Sequence, residues 1–258
     1  MNVLVLGLDR RPDEGSIVRS DVLMLVSVRS MEPQLVLVSI PRDLYVEIPG
    51  HGAGRINTAH FWGEQEREGG GPALAVQAVS SSFRVSVDHF VRVDFDGFRK
   101  IIDAVGGIDV AVENGLVDDA YPTEGYGTTR IEIPAGLQRM DGETALRYVR
   151  SRHASSDFDR AARQQQVVIA LAERLSDPRT WIRMPGLTAV AIGSVDTDLS
   201  SWAFAQLALT ALRVGPEGIQ PYVIDQDMIQ PWTTPTGGAV LLPRWEAIDP
   251  LVAEVFGR

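Results

Sequence analysis

Val3-Leu4-Val5-Leu6, Val22-Leu23-Met24-Leu25-Val26 and Leu35-Val36-Leu37-Val38 are apolar runs of strand length, and none alternates with polar positions. A strand with one wet face alternates, so these runs predict strands covered on both faces, at the centre of a layered α/β sheet. Further along, 72–83 reads as a helix, 89–94 as a strand, 95–105 as a helix stopped by Gly106-Gly107, and 108–112 as a strand. Segment 113–130, rich in Asp, Tyr, Gly and Thr without a helical period, reads as a long loop beside the sheet. Helices are expected over 141–149 and 157–175, the second stopped by Asp177-Pro178. A helix over 200–212, a strand over 220–224, a Gly/Pro-rich link at 231–238 and a closing helix over 243–256 complete the reading. No linker demands a boundary, so 1–258 is taken as a single domain.

Composition excludes several chemistries. The formal net charge is −10, which argues against a nucleic-acid binder needing a basic surface, but leaves room for a small anion in a local pocket. Lys100 stands beside 23 arginines, and Phe98-Arg99-Lys100-Ile101 is no phosphate-loop, kinase-type or Schiff-base context. The absence of cysteine removes disulfides, thiolate nucleophiles and zinc–cysteine sites. His51, His60, His89 and His153 contain no i, i+4 pair and read as loop or surface residues. Gly50-His51-Gly52-Ala53-Gly54 lacks phosphate-loop spacing and reads as a mobile loop. No apolar run is long enough to span a membrane and no leader pattern opens the chain, which as written reads as soluble.

Three constellations carry charge to the ends of these elements. Asp9 follows the first apolar run and Asp21 precedes the second, so both carboxylates return to one sheet edge, where α/β sheets bind ligands and a pair of carboxylates suits Mg²⁺. Alternatively they pair with Arg10, Arg11 or Arg19. Ser39-Ile40-Pro41-Arg42-Asp43 ends the third run and presents Arg42 at the same edge, as a ligand contact or an ordinary surface turn. Five arginines fall within 147–163, and at 100° per residue Arg160, Gln164, Val167 and Leu171 share a helix face whose apolar members point it inward. Burying a guanidinium needs an anion to meet it. With Asp157 as expected N-cap, the first helical turn also favours an anion, and a pyrophosphate suits the planar fork of arginine. Internal salt bridges to Asp9, Asp21, Asp43 and Asp159 are the other reading.

Together these residues resemble the LytR-CpsA-Psr family of cell-envelope phosphotransferases. The carrying motifs, in order, are Gly-x-Asp-x-Arg from Gly7, Arg19-Ser20-Asp21, Ser39-Ile40-Pro41-Arg42-Asp43 and Val105-Gly106-Gly107-Ile108-Asp109-Val110. Asp-Gly-Glu-x-Ala-Leu-x-Tyr-Val-Arg-x-Arg over 141–152 and Asp-Phe-x-Arg-x-x-Arg-Gln-Gln over 157–165 follow. The motif-bearing core is 3–176; within the less diagnostic 177–258, Val195 to Ser200 looks like the family's later segment. The resemblance implies a three-layer α/β/α sandwich with a central mixed sheet. It implies transfer of a glycopolymer phosphate from a polyprenyl-pyrophosphate-linked glycan donor to a peptidoglycan hydroxyl, with Mg²⁺ as cofactor and no nucleic acid as partner. By position, Asp9 and Asp21 would hold the metal, Arg19, Arg42, Arg150, Arg152, Arg160 and Gln164 would bind pyrophosphate, and Asp9, Asp21, Arg42 and Arg160 would be catalytic. Family members usually begin with a transmembrane helix, so a missing N-terminal anchor and an extracytoplasmic, membrane-associated full-length protein are expected. Two other functions share these residues: a polyprenyl-pyrophosphate or pyrophosphate hydrolase, and a non-catalytic polyprenyl-phosphate-binding regulatory module.

Overall fold

The computed structural model describes residues 1–9, 17–29, 34–123, 127–151, 157–177, 179–180 and 193–257. The three apolar runs become β1 (Asn2–Leu8), β2 (Ser20–Arg29) and β3 (Gln34–Ile40). They form the middle of a six-stranded sheet with β6 (His89–Asp94), β11 (Val195–Thr197) and β12 (Ile219–Val223), in the order β11-β6-β1-β2-β3-β12. The sheet is mixed: β1 is parallel to β6 and antiparallel to β2, while β3 is antiparallel to β2 and parallel to β12. One edge therefore gathers the ends of β1, β3, β6 and β12 with the starts of β2 and β11.

Both faces are covered, as unbroken apolar strands require. Leu4, Leu6, Leu23, Leu25, Val36 and Val38 point to one face and pack with α2 (Gly71–Phe83) and α7 (Trp245–Phe256). Met24, Val28, Leu35 and Leu37 point to the other, against α5 (Asp157–Ser176) and α6 (Ser201–Val214). The three-layer α/β/α sandwich is thus the fold. Leu4, Leu6, Leu23 and Leu25 are no more than 2% exposed, each contributing about 1.5–3 kcal/mol by burial, so this layer is rigid where the site is mounted.

A second core lies beside the first. Here β7 (Ile108–Val112) pairs with β10 (Gly136–Met140), and β8 (Leu116–Pro122) pairs with β9 (Thr128–Ile133). With α3 (Phe95–Ala104) and α4 (Gly142–Arg150) they enclose Ile102, Ile108, Tyr121, Ile131 and Met140. Reading 113–130 as a loop is therefore corrected. The inward positions of β8 include the carboxylate of Asp118, and a register shift between Asp118 and Tyr121 breaks the period.

Two other loops are also hairpins. The Gly50–Gly54 segment holds the turn out of β4 (Tyr45–Ile48) and the first three residues of β5 (Gly52–Arg55), with Gly50 in the turn and Gly52 at the start of β5 both at positive φ, rather than forming a mobile loop. The expected link at 231–238 is mostly β13 (Ile229–Thr233) and its turn into β14 (Ala239–Pro243). Helix α1 (Thr58–Glu66) completes the arrangement. Among the described residues no helix is long and apolar enough to cross a membrane.

Candidate functional site

The chemistry-bearing side chains gather where β1 and β3 end and β2 begins. Pairing of β1 with β2 steps from Gly7↔Val22 to Leu8↔Ser20, which leaves Asp21 as the extra residue of a β-bulge. A bulge takes a side chain out of the regular alternation and re-aims it. Gly7 allows the close crossing, because a Cβ there would stand 2.9 Å from the Val22 side chain. Asp21 Oδ1 accepts a hydrogen bond from Arg42 Nη1 at 2.7 Å. Pro41 separates Arg42 from β3 and so ends the strand before it. Burial opposes the Arg42 charge, yet Asp21 and then Asp43 outweigh it and raise its pKa above the ordinary value. Arg42 Nε is buried 3.5 Å from Asp43 Oδ2 and makes no hydrogen bond among the described residues.

Helix α5 delivers Arg160 and Gln164 to the same place. Asp21, Ser39, Arg42, Asp157, Arg160 and Gln164 line one narrow cavity, with Phe158 and Leu241 among its apolar walls. Arg160 is 7% exposed and lies 2.8 Å from Asp157 Oδ1. Asp157 is the first residue of α5, inside the helix rather than its N-cap, and still adds negative charge to the first turn. Gln164 follows one turn later, with Nε2 3.5 Å from Val149 O, and buried Val167 continues the stripe inward. Gln165 ties α5 to the sheet by donating to Ser39 Oγ at 2.9 Å and Tyr222 O at 2.6 Å.

At the neighbouring strand end, Arg150 Nη2 lies 3.4 Å from both oxygens of Asp9, and Nη1 donates to Pro122 O at 3.2 Å. The guanidinium stands 4.6 Å from the Phe95 ring centroid and 5.7 Å from that of Tyr121. Burial raises the Tyr121 pKa and keeps its phenol neutral beside the cation. Phe95 is thus a wall of the Arg150 position. Of the remaining sequence candidates, Arg19 is exposed and does not line the cavity, and Arg152 lies outside the described residues.

A buried pin behind the site has no counterpart in the sequence reading. Ser151 Oγ donates to Asp118 Oδ2 at 2.7 Å, while Arg163 donates from Nε to Tyr148 O at 2.9 Å and from Nη2 to Ser151 O at 2.6 Å. All three side chains belong to residues at most 8% exposed, and burial lowers the Arg163 pKa. The last carbonyls of a helix need donors, and Arg163 supplies them to α4 just where Arg150 leaves it. The available signal was Arg163 itself, three residues after Arg160 and adjacent to the Gln164-Gln165 pair. Among the described residues no three carboxylate or imidazole groups form a ready metal cage. Asp9 and Asp21 stand at neighbouring strand ends, each beside an arginine: Asp9 beside Arg150 and Asp21 beside Arg42.

The LytR_cpsA_psr family model matches residues 1–235. A relative in Oceanobacillus iheyensis, the polyisoprenyl-teichoic acid–peptidoglycan teichoic acid transferase TagU, is 36% identical over 77% of this chain and 59% of its own length. The regulatory protein MsrR of Staphylococcus aureus is 29% identical over 81% of this chain and 60% of its own. The chain thus spans about three-fifths of these relatives. Among solved structures, TagV of B. subtilis superimposes with a TM-score of 0.80 at 25% identity, covering 100% of this chain and 97% of that one.

Proposed function

Because the chain belongs to the LytR_cpsA_psr family, we propose that it is an Mg²⁺-dependent phosphotransferase that moves a glycopolymer phosphate from a polyprenyl-pyrophosphate carrier to a peptidoglycan hydroxyl. The observation that carries this reading is the convergence of Arg42, Arg160 and Gln164 with Asp21 in one narrow cavity at the sheet edge. Desolvated guanidinium groups favour anionic partners, and a pyrophosphate has enough oxygens to meet two of them in bidentate fashion. Arg42 Nε, buried without a hydrogen bond among the described residues, supplies a donor for one of those oxygens. Turning Arg42 toward phosphate would break its 2.7 Å contact with Asp21 Oδ1.

Phosphoryl transfer depends on positioning and charge neutralisation more than on covalent catalysis. The acceptor oxygen attacks the glycan-bearing phosphorus, its proton passes to Asp9 or Asp21, and the anhydride P–O bond breaks. Polyprenyl phosphate leaves with the bridging oxygen, and the glycan stays joined to peptidoglycan through a phosphodiester. Arg42, Arg160 and Arg150 hold the oxygens on which charge grows, while Gln164 orients the group. Mg²⁺ held by Asp9 and Asp21 would neutralise the same charge and lower the barrier to attack. A lipid-linked donor would bring this chemistry to a membrane surface, and a peptidoglycan acceptor would set it outside the cytoplasm.

The test supplies purified protein with a polyprenyl-pyrophosphate-linked glycan and a peptidoglycan fragment, with mass spectrometry as the readout. A phosphodiester conjugate together with polyprenyl phosphate, both abolished by EDTA and restored by Mg²⁺, is expected. Free phosphorylated glycan without conjugate identifies a hydrolase instead, and lipid binding without turnover, indifferent to EDTA, identifies a regulatory module.

A further inference from the structure

A second cavity opens on the same sheet edge, on the other side of β1. It occupies about 310 Å³, within the range of small-molecule sites. Leu8 and Asp94, the last residues of β1 and β6, line it, with Asp96 and Lys100 contributed by α3 and Asp196 by β11. The next residue after Leu8 is Asp9. β1 lies between β6 and β2 in the sheet, so Asp9, which follows β1, comes off the strand that separates β6 and β11 at this cavity from β2 and β3 at the first; Asp9 itself lines neither.

None of the donor chemistry uses this cavity. Lys100 Nζ lies 2.6 Å from Asp96 Oδ2, Arg92 Nη2 lies 2.6 Å from Asp196 Oδ2, and Asp94 Oδ1 accepts from Gly97 N at 2.9 Å. Its cations already have carboxylate partners, so it presents donors and acceptors side by side without an excess of positive charge. A polyhydroxylated neutral ligand, whose hydroxyls both donate and accept, suits such a wall better than a phosphate does.

Arg92 is also held from behind. Its Nη1 meets Glu64 Oε1, whose side chain is fully buried and also accepts from Gly69 N at 3.0 Å. His60 Nε2 lies 3.2 Å from the same Arg92 nitrogen, and His60 Nδ1 meets Val18 O at 2.8 Å. His60 is wholly buried, which corrects its reading as a loop or surface residue. Enclosing a carboxylate and an imidazole is costly, and here it fixes the Arg92 guanidinium at the cavity wall. A side chain locked by buried partners is preorganised for a ligand.

We infer that this second cavity is the acceptor subsite, where a sugar ring of the glycan acceptor is held by Arg92, Lys100, Asp96 and Asp196 with its hydroxyl directed toward Asp9. The inference rests on the transferase reading and adds the place of the acceptor. It is tested by calorimetric titration of the full chain with a soluble N-acetylhexosamine tetrasaccharide, using wild type, Lys100→Ala, Asp196→Asn and Arg42→Ala. The Lys100 and Asp196 side chains are more than half exposed, so both variants keep the fold, which thermal unfolding verifies. Lys100→Ala and Asp196→Asn should each weaken sugar binding about tenfold, the loss of a hydrogen bond to a charged group. Arg42→Ala, across β1, should leave it within about twofold. No saturable binding to wild type, or equal binding by both cavity variants, overturns the subsite. Sugar binding that follows the expected pattern while no conjugate ever forms supports the subsite and sinks the transferase reading. Conjugate formation with an unchanged acceptor KM in both variants sinks the subsite alone.

Discussion

Arg42–Asp21 at the sheet edge and Arg130–Asp119 across the β8–β9 hairpin are both 2.7 Å ion pairs, in different surroundings. The first pair is 20% and 23% exposed, the second 60% and 73%. Water screens the hairpin pair and competes for its hydrogen bonds, so its net worth lies near the bottom of the range of about 0–1 kcal/mol for surface pairs. At the sheet edge, Asp43 and Asp157 add to the field of Asp21, and the Arg42 pKa rises despite burial. Removing one member there leaves the other charge desolvated. The difference teaches that separation alone does not mark a site. Burial, neighbouring groups of the same kind and a position at a strand end do.

The largest effect expected from that contrast is on catalysis. Arg42→Ala and Arg160→Ala should each reduce conjugate formation about 100- to 1,000-fold, the loss seen when one preorganised charge-stabilising donor is removed, while Arg130→Ala leaves the rate unaltered. Equal rates for Arg42→Ala and Arg130→Ala would erase the distinction. Next in size is the pin behind the site. Arg163→Ala strips donors from Tyr148 O and Ser151 O and should lower stability by about 3 kcal/mol, read from the urea midpoint. Arg163→Lys should recover part of that loss, since it restores the charge without the two-pronged geometry. A midpoint unchanged in Arg163→Ala would show that α4 ends without its help.

The same contrast explains how much of the molecule is legible in its sequence. Strands β1, β2 and β3 are legible because burial on both faces leaves unbroken apolar runs, and Asp9, Asp21 and Arg42 are legible because they interrupt those runs at their ends. Helix α4 announces itself through Asp141, which accepts from Thr144 N at 2.8 Å as its N-cap. Arg160 and Gln164 follow from a helical stripe that ends in apolar residues. Strand β8 is not legible, because its inward side includes Asp118, whose burial makes sense only beside Ser151. Nor is α1, whose buried His60 and Glu64 meet Arg92 of a distant strand. Local windows register periodicity and caps, whereas a buried polar residue is explained by a partner far along the chain.

The third effect separates His60 from the exposed histidine reading by pH. Burial lowers the folded-state pKa of His60 below its ordinary 6.5, with Arg92 also lowering it and Val18 O, Glu64 and Asp196 acting the other way. The unfolded chain therefore takes up the proton first. The stability linked to neutral His60 is fully present above about pH 6.5 and is lost as the pH falls through the folded-state value. Glu64 adds a loss of the same sign at lower pH. Burial raises its pKa, but Gly69 N and Arg92 outweigh that and hold it below 4.5. The unfolding temperature should drop between about pH 7.5 and 5.5, and His60→Gln should flatten that drop. Identical slopes in the two proteins would remove His60 as the cause.

The smallest effect belongs to the hairpin pair. In a double-mutant cycle, Arg130→Ala and Asp119→Ala should couple by less than about 0.5 kcal/mol, and the coupling should vanish as salt rises to about 1 M, where the screening length is about 3 Å. The sheet-edge pair, cycled through Arg42→Ala and Asp21→Ala, should couple more strongly and keep part of that coupling in the same salt, because its carboxylate and guanidinium face protein on most sides. Two pairs of one length would then differ in energy, salt response and catalytic effect together. If instead the hairpin pair coupled as strongly as the buried one, burial would not be what distinguishes them, and the assignment of Arg42 to the reacting phosphate would have to rest on kinetics alone.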